Sequence, residues 1–224
     1  DVMSGAVEWK DVHIITRHDQ QTLQAMGVRP GTRVVLSQHW RTPFRVGDAT
    51  AAHFLDDRAP VVAMLLAAEQ LKHSPIELRH DTYFVFTTLE EESNAGAMYA
   101  AAHVPGDTTI AVEVGPVMSE YATRLSVDPI IDTGDQKGYY SRGVVMALAD
   151  AAKRCGFDPQ FALLVDFASD ASAVMSSGIS AQAGCIAIPT ENTHGFELVV
   201  DGAIEACAQT LVEYLQGLQN EAST

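Results

Sequence analysis

The apolar run Gly184-Cys185-Ile186-Ala187-Ile188 passes directly into the polar loop Pro189-Thr190-Glu191-Asn192-Thr193-His194. A short, continuously apolar run bounded by turn residues predicts a buried strand of a largely parallel sheet. Ligands of open α/β sheets bind beyond the carboxyl ends of the strands, where the connecting loops converge. His194 therefore lies where a functional residue is expected, although a single loop histidine more often faces solvent.

Strand-like and helix-like segments alternate from Asp48 onward, which predicts an α/β domain over residues 48–224. The predicted strands are 82–88, 110–114, 161–165 and 184–188, and the predicted helices are 58–72, 141–155 and 203–218, the last capped by Asp201. The expected buried face of the first helix consists of Val61, Met64, Leu65, Ala68 and Leu71. Residues 1–47 are predicted to be small β structure, with strands at 12–16 and 33–36 around a helix at 19–26.

Composition limits the classes of protein that this chain can be. Its 224 residues carry a formal net charge of -15, and 47% of them are hydrophobic, which is typical of a globular domain with a buried core. The acidic balance argues against nucleic acid as a partner, since phosphate binding requires a basic surface. The sequence contains no signal-peptide pattern and no run long enough to span a membrane, so we expect a cytoplasmic protein without membrane contact.

Carboxylates recur where apolar runs end. Glu90 and Glu91 follow the run 82–88, Glu113 interrupts the apolar run 110–114, and Asp56-Asp57 precedes an apolar helix. A carboxylate inside a buried strand must be paired or bound to a metal. The alternatives are a solvated acidic loop for the glutamates and an N-cap pair for the aspartates. Together with His194, however, these residues suit zinc, cobalt or manganese, and two ions about 3.5–4 Å apart need a bridging carboxylate.

A set of short motifs runs through the chain in a recognisable order: Leu55-Asp56-Asp57-Arg58, Glu90-Glu91 with Gly96-Ala97, Ser169-Asp170-Ala171, Ile188-Pro189 and Thr193-His194. In this order they resemble the glutamyl and deblocking aminopeptidases, metallopeptidases that assemble as tetrahedral dodecamers and have relatives described as endoglucanases. The resemblance implies a three-layer, zinc-peptidase-like sheet flanked by helices, a peptide substrate and a homo-oligomer. It also implies that residues 1–47 are a remnant of a small inserted β domain that serves in oligomerisation.

The resemblance assigns the metal ligands residue by residue. Asp56 would bridge two divalent ions, most readily zinc or cobalt. Glu91 and His194 would complete the ligands of one ion, and Glu113, where the family commonly has aspartate, would serve the other.

The resemblance also assigns the catalytic chemistry. Glu90 would be the general base that takes a proton from a water activated by the ions and passes it to the departing amine. Asp57 would orient its neighbours from outside the ligand set, across a cis peptide bond after Asp56.

One expected motif is absent. The family's first ligand comes from a His-x-Asp motif, and none of the eight histidines belongs to such a motif. The chain is therefore expected to be N-terminally incomplete through truncation, cleavage or loss. Two ions per subunit are typical of the family, whereas one tightly bound ion and weak activity are expected here.

Three hypotheses follow from the sequence. The first is a metal-dependent aminopeptidase that removes N-terminal residues from short peptides. The second is a catalytically silent relative or fragment that binds one metal and has a structural or assembly role. The third is an α/β binding module with solvated acidic loops and no metal at all.

Overall fold

The computed structural model describes residues 7–218, which form two compact units divided between Ser37 and Gln38. In the first unit a 3-10 turn spans Trp9–Asp11 and helix α1 spans Gln20–Ala25, which confirms the helix predicted at 19–26. Its N-cap, Asp19, accepts a hydrogen bond from the Thr22 amide at 2.7 Å. The strands predicted at 12–16 and 33–36 are wrong, because neither run has a pairing partner among the described residues. Ile15, for example, is 85% exposed.

The second unit contains the remaining helices and strands that the structure describes. In chain order these are α2 (Gln38–Arg41), β1 (Phe44–Val46), β2 (Ala49–His53), α3 (Leu55–His73), α4 (Glu90–Ser93), α5 (Ala95–His103), β3 (Thr108–Pro116), β4 (Ile130–Asp135), β5 (Gly138–Tyr139), α6 (Arg142–Arg154), β6 (Gln160–Leu164), α7 (Asp170–Ser176), β7 (Gln182–Thr190), β8 (Phe196–Val200) and α8 (Ala203–Gly217). A short 3-10 turn lies at Ser119–Tyr121. The assignment of residues 1–47 to an inserted β domain stays a prediction.

Two sheets organise the second unit. The main sheet has the order β3-β7-β4-β5, and β6 pairs with β4. The pairs β3/β7 and β4/β6 are parallel, whereas β4 runs antiparallel to β7 and to β5, so the sheet is mixed rather than largely parallel. A second, antiparallel sheet has the order β1-β2-β8. The predicted α/β class, a sheet with flanking helices, is confirmed.

Helices α3, α6 and α8 enclose the main core. Helix α8 packs against both α3 and α6, and all three contact strands of the main sheet. The buried face of α3 consists of small residues such as Ala59, Ala63 and Ala67, which allow a close approach. The predicted apolar face was wrong in this respect, since Leu65 is 54% exposed. Gly184 serves the same purpose in β7, because a Cβ there would lie 2.5 Å from Val144 Cγ1 on α6.

Most of the other predicted helices and strands are confirmed, but one predicted strand and one predicted helix cap are wrong. The strands at 110–114, 161–165 and 184–188 and the helices at 58–72, 141–155 and 203–218 are confirmed within a few residues. The run 82–88 forms no strand, because it lacks a ladder partner among the described residues. Gly202 rather than Asp201 caps α8, and Asp201 instead pairs with Arg45, whose Nη1 lies 2.5 Å from Asp201 Oδ1. No helix within residues 7–218 combines the length and the apolar character that a membrane span requires.

Candidate metal centre

The small sheet brings together two segments that are far apart in sequence. Strand β2 runs into the Asp56 loop, residues 54–57, in which Asp56 and Asp57 have non-helical backbone angles at the start of α3. Strand β8 begins directly after the His194 loop, residues 191–195. In the antiparallel register, His53 is opposite Phe196 and Ala52 is opposite Glu197. The pairing therefore places Asp56 and His194 beside each other.

Asp56, Glu91 and His194 form the first group of candidate ligands. His194 Nε2 lies 3.3 Å from Asp56 Oδ2 and 3.3 Å from Glu91 Oε2. One ligand atom from each of the three residues lies within 4.8 Å of the others. The Asp56 side chain is only 12% exposed, whereas Glu91 and His194 reach the group from the solvent side. This is the trio that the sequence predicted for one ion.

A second group shares Asp56 with the first. It consists of Asp56, Asp57 and Glu113, again with ligand atoms within 4.8 Å of one another. Glu113 lies opposite Ala187 in the parallel β3/β7 ladder. The peptide bond between Asp56 and Asp57 is cis, as the sequence reasoning expected. Asp57 was predicted to act from outside the ligand set. In this structure its carboxylate is as close to Asp56 and Glu113 as a ligand of the same cation would be.

Glu90 lies beside both groups and is held by its own hydrogen bonds. Asn94 Nδ2 donates to Glu90 Oε1 at 3.1 Å and to Asp170 Oδ1 at 3.2 Å. Thr87 Oγ1 donates to the other oxygen of Asp170 at 2.6 Å. One oxygen of the Glu90 carboxylate is therefore fixed by an amide that is itself anchored.

Burial and crowding of like charges disfavour ionisation throughout the site. The pKa of Asp56 is raised to about 6, first by burial and then by repulsion from Glu91. The pKa of Glu90 is raised to about 7, first by burial and then by repulsion from Asp170. Burial also raises the pKa of Glu113 well above its ordinary value. A divalent cation would reverse these shifts because it supplies the missing positive charge.

The candidate ligands line a cleft of about 430 Å³. Eight carboxylic side chains line it, and Lys137 is the one lysine or arginine among its described lining residues. One wall is a buried network in which Tyr140 donates to Asp135 Oδ2 at 2.8 Å and contacts Ser169 Oγ at 2.7 Å. Asp132, also in this wall, is 2% exposed. The cleft is thus strongly acidic, and hydrogen bonds join the side chains of one wall.

The donor chemistry of the two groups suits divalent cations. The first group offers one imidazole and two carboxylates, which suit zinc, cobalt or manganese. The second offers oxygen alone, which suits harder cations. Asp56 belongs to both groups, so it would bridge two cations if both groups were occupied.

Two residues of the site were missed by sequence reasoning. Glu197 is 1% exposed and accepts hydrogen bonds from the backbone at both Asp56 and His194. Its signal was a charged residue within the apolar run Phe196–Val200, the same signal that pointed to Glu113. Asn94, which orients Glu90, carried no comparable signal.

The mixed α/β fold with its clustered carboxylates and imidazole defines the class of this protein as an α/β protein with a candidate site for divalent cations. The family model of M42 glutamyl aminopeptidases matches residues 3–210, so the chain belongs to the M42 glutamyl aminopeptidase family.

Individual relatives agree with the family. The chain is 28% identical over 165 residues to "Putative aminopeptidase YhfE" of Bacillus subtilis (strain 168), which covers 72% of this chain and 46% of that protein. The fold is similar to that of aminopeptidase APDkam598 from the archaeon Desulfurococcus kamchatkensis, with a TM-score of 0.76, 23% identity and coverage of 88% of this chain and 56% of that one. The Pyrococcus horikoshii TET1 peptidase, which can assemble into a tetrahedron or a large octahedral shell, gives a TM-score of 0.67 at 24% identity over 75% of this chain and 50% of its own. The chain therefore spans about half the length of the relatives it matches.

Proposed function

We propose that this chain carries the metal-binding and catalytic centre of an aminopeptidase that releases N-terminal residues from short peptides. The observation that carries this proposal is the convergence of ligand atoms of Asp56, Glu91 and His194 within 4.8 Å, in a cleft that Glu90 also lines. Membership of the M42 family supports it.

Asp56, Glu91 and His194 would hold the first divalent cation, zinc or cobalt with manganese as a further choice. Asp56, Asp57 and Glu113 would hold a second, more weakly, because this group lacks an imidazole. Bound cations would supply Lewis-acid polarisation of the scissile carbonyl and acidify water at the site.

Glu90 would act as the general base and then as the general acid. Its carboxylate takes a proton from the attacking water as the new C–O bond forms, and returns that proton to the amine nitrogen as the C–N bond breaks. Burial in the cleft raises the pKa of Glu90, which favours return of the proton to the amine. Asn94 keeps the carboxylate in one orientation, since it fixes Oε1 at 3.1 Å.

A homo-oligomer is the second part of the proposal. It is supported by the assembly of the TET1 peptidase, whose fold this chain shares. Light scattering of the purified chain tests it directly, because a monomeric mass at micromolar concentration would contradict it.

The test of the chemistry is turnover of aminoacyl anilides in the presence of zinc, cobalt or manganese. Glu90→Gln keeps the size of the side chain but cannot accept the proton, and it should reduce kcat by about 10²–10⁴-fold without loss of metal. Glu205→Gln, the same change on an exposed side chain of α8 that does not line the cleft, is the matched control. Metal binding without turnover in the unaltered chain would favour the silent relative with a structural role, and no metal binding would favour the binding module.

A further inference from the structure

Glu197 is a buried carboxylate that joins the two loops of the metal centre. Its Oε2 accepts hydrogen bonds from the backbone amides of Leu55 and, at 3.1 Å, Asp56. Its Oε1 accepts one from the amide of His194 at 3.2 Å. A single side chain therefore bonds to the backbone of two predicted ligands that are 138 positions apart, at 56 and 194.

A carboxylate as buried as this one needs compensating interactions. Glu197 is 1% exposed, and a buried charge is costly unless it is paired or hydrogen-bonded. No lysine or arginine within residues 7–218 forms an ion pair with it. The three amide donors are its partners, and hydrogen bonds to an ionised acceptor are about twice as strong as neutral ones.

The backbone around these amides needs such support. Phe54 and His194 both have φ of 62°, the left-handed region that non-glycine residues seldom adopt. Such a conformation is costly for a residue with a side chain and persists only where the surroundings determine it. Glu197 bonds at or directly beside both positions.

We propose that Glu197 is a positioning residue for the metal centre, holding the Asp56 and His194 loops at the separation that a cation requires. This inference rests on the proposed function, because it assumes that Asp56 and His194 bind metal. The two oxygens act on different loops, so the side chain fixes the distance between Asp56 Oδ2 and His194 Nε2, 3.3 Å in this structure.

Glutamine and aspartate substitutions separate the parts of this arrangement. Glu197→Gln keeps the length, but its amide group offers one acceptor oxygen and one NH₂ donor, so one loop loses its acceptor and faces a donor. Glu197→Asp keeps the charge but is one methylene shorter and reaches fewer of the three amides. Glu191→Gln is the matched control, since it makes the same change on an exposed side chain three positions before His194.

The experiment is a competition titration of zinc against a chromophoric chelator, with His194→Ala as a reference. Circular dichroism of the metal-free proteins establishes that each variant is folded. Glu197→Gln and Glu197→Asp should bind zinc about 10–100-fold more weakly than the unaltered chain, the usual effect of losing a group that orients ligands. Glu191→Gln should bind zinc as the unaltered chain does.

The outcomes distinguish the two proposals. If the unaltered chain and His194→Ala bind zinc equally, the metal centre itself is wrong. If His194→Ala loses zinc while folded Glu197→Gln retains affinity within twofold, only the role of Glu197 is overturned. Should Glu197→Gln fail to fold, Glu197→Asp decides by the same twofold criterion.

Discussion

Asn94 Nδ2 donates a hydrogen bond to Glu90 Oε1 over 3.1 Å. The same amide nitrogen lies 3.2 Å from Asp170 Oδ1, so the candidate base is connected to a second carboxylate through one side chain. The two partners act on the Glu90 pKa in opposite directions. Repulsion from Asp170 raises it, and the hydrogen bond from Asn94 lowers it.

Substitutions at these two positions should therefore move the pH profile in opposite directions. A general base works when deprotonated, so kcat/KM should rise with pH through the pKa that Glu90 has in the metal-bound protein. Asn94→Ala removes a donor to the charged form and should shift this acid limb to higher pH. Asp170→Asn removes a negative charge and should shift it to lower pH. If both substitutions moved the acid limb in the same direction, the assignment of Glu90 as base would be contradicted.

Gly96 controls how closely α5 approaches Thr88, two residues before Glu90. Its amide donates to Thr88 O at 3.0 Å, and a Cβ at this position would lie 2.4 Å from that oxygen. Gly96→Ala should lower the free energy of unfolding by about 1–3 kcal/mol, as overpacking does. Gly143→Ala in α6 has open space around the new Cβ and should be neutral or stabilising by up to about 1 kcal/mol. Urea denaturation measures both, and equal effects of the two substitutions would refute the contact.

Asp132 should make the fold less stable as pH rises. Burial raises its pKa from 3.8 to about 7, so the folded state binds the proton more tightly than the unfolded chain does. Its contribution is favourable below about pH 4 and is lost progressively up to about pH 7, amounting to at most about 4 kcal/mol. Asp132→Asn should make this slope shallower by removing the contribution of Asp132, whereas Asp81→Asn, on an exposed side chain, should leave it unchanged. Urea midpoints between pH 4 and 8 measure the effect, and parallel curves for Asp132→Asn and the unaltered chain would contradict it.

Several parts of this structure could be predicted from sequence because their signal is local. The apolar runs around Glu113 and before His194 identify two neighbouring strands, and polar residues at such ends converge by sheet geometry. The prediction of the buried face of α3 was wrong because hydropathy ranks Leu65 above Ala63, whereas close helix packing favours the smaller side chain.

Other parts depend on contacts that sequence patterns do not show. The run 82–88 has strand-like composition, but a strand also needs a neighbour, and no described residue pairs with it. The proposed role of Glu197 depends on the pairing of β2 with β8, two strands that are neighbours in the sheet but lie far apart in the sequence. Its partners are backbone amides, which carry no residue signature at all.

Zinc should stabilise the chain against heat. A ligand at 100 times its Kd adds about 2.7 kcal/mol, which corresponds to roughly 5–11 °C in Tm for a protein of this size. His194→Ala removes the imidazole of the first group and should abolish most of the shift. His80→Ala, a substitution of an exposed histidine outside the cleft, is the control and should retain it. Differential scanning calorimetry with and without zinc measures both, and an undiminished shift in His194→Ala would place the zinc elsewhere.

The central claim is that Asp56, Glu91 and His194 hold a divalent cation. It is tested most directly by anomalous diffraction at the zinc absorption edge from crystals grown with one equivalent of zinc per chain. The predicted result is one dominant anomalous peak within bonding distance of all three residues, with any peak at Asp57 and Glu113 weaker. A map with its dominant peak elsewhere, or with no peak at these three residues, would contradict the account.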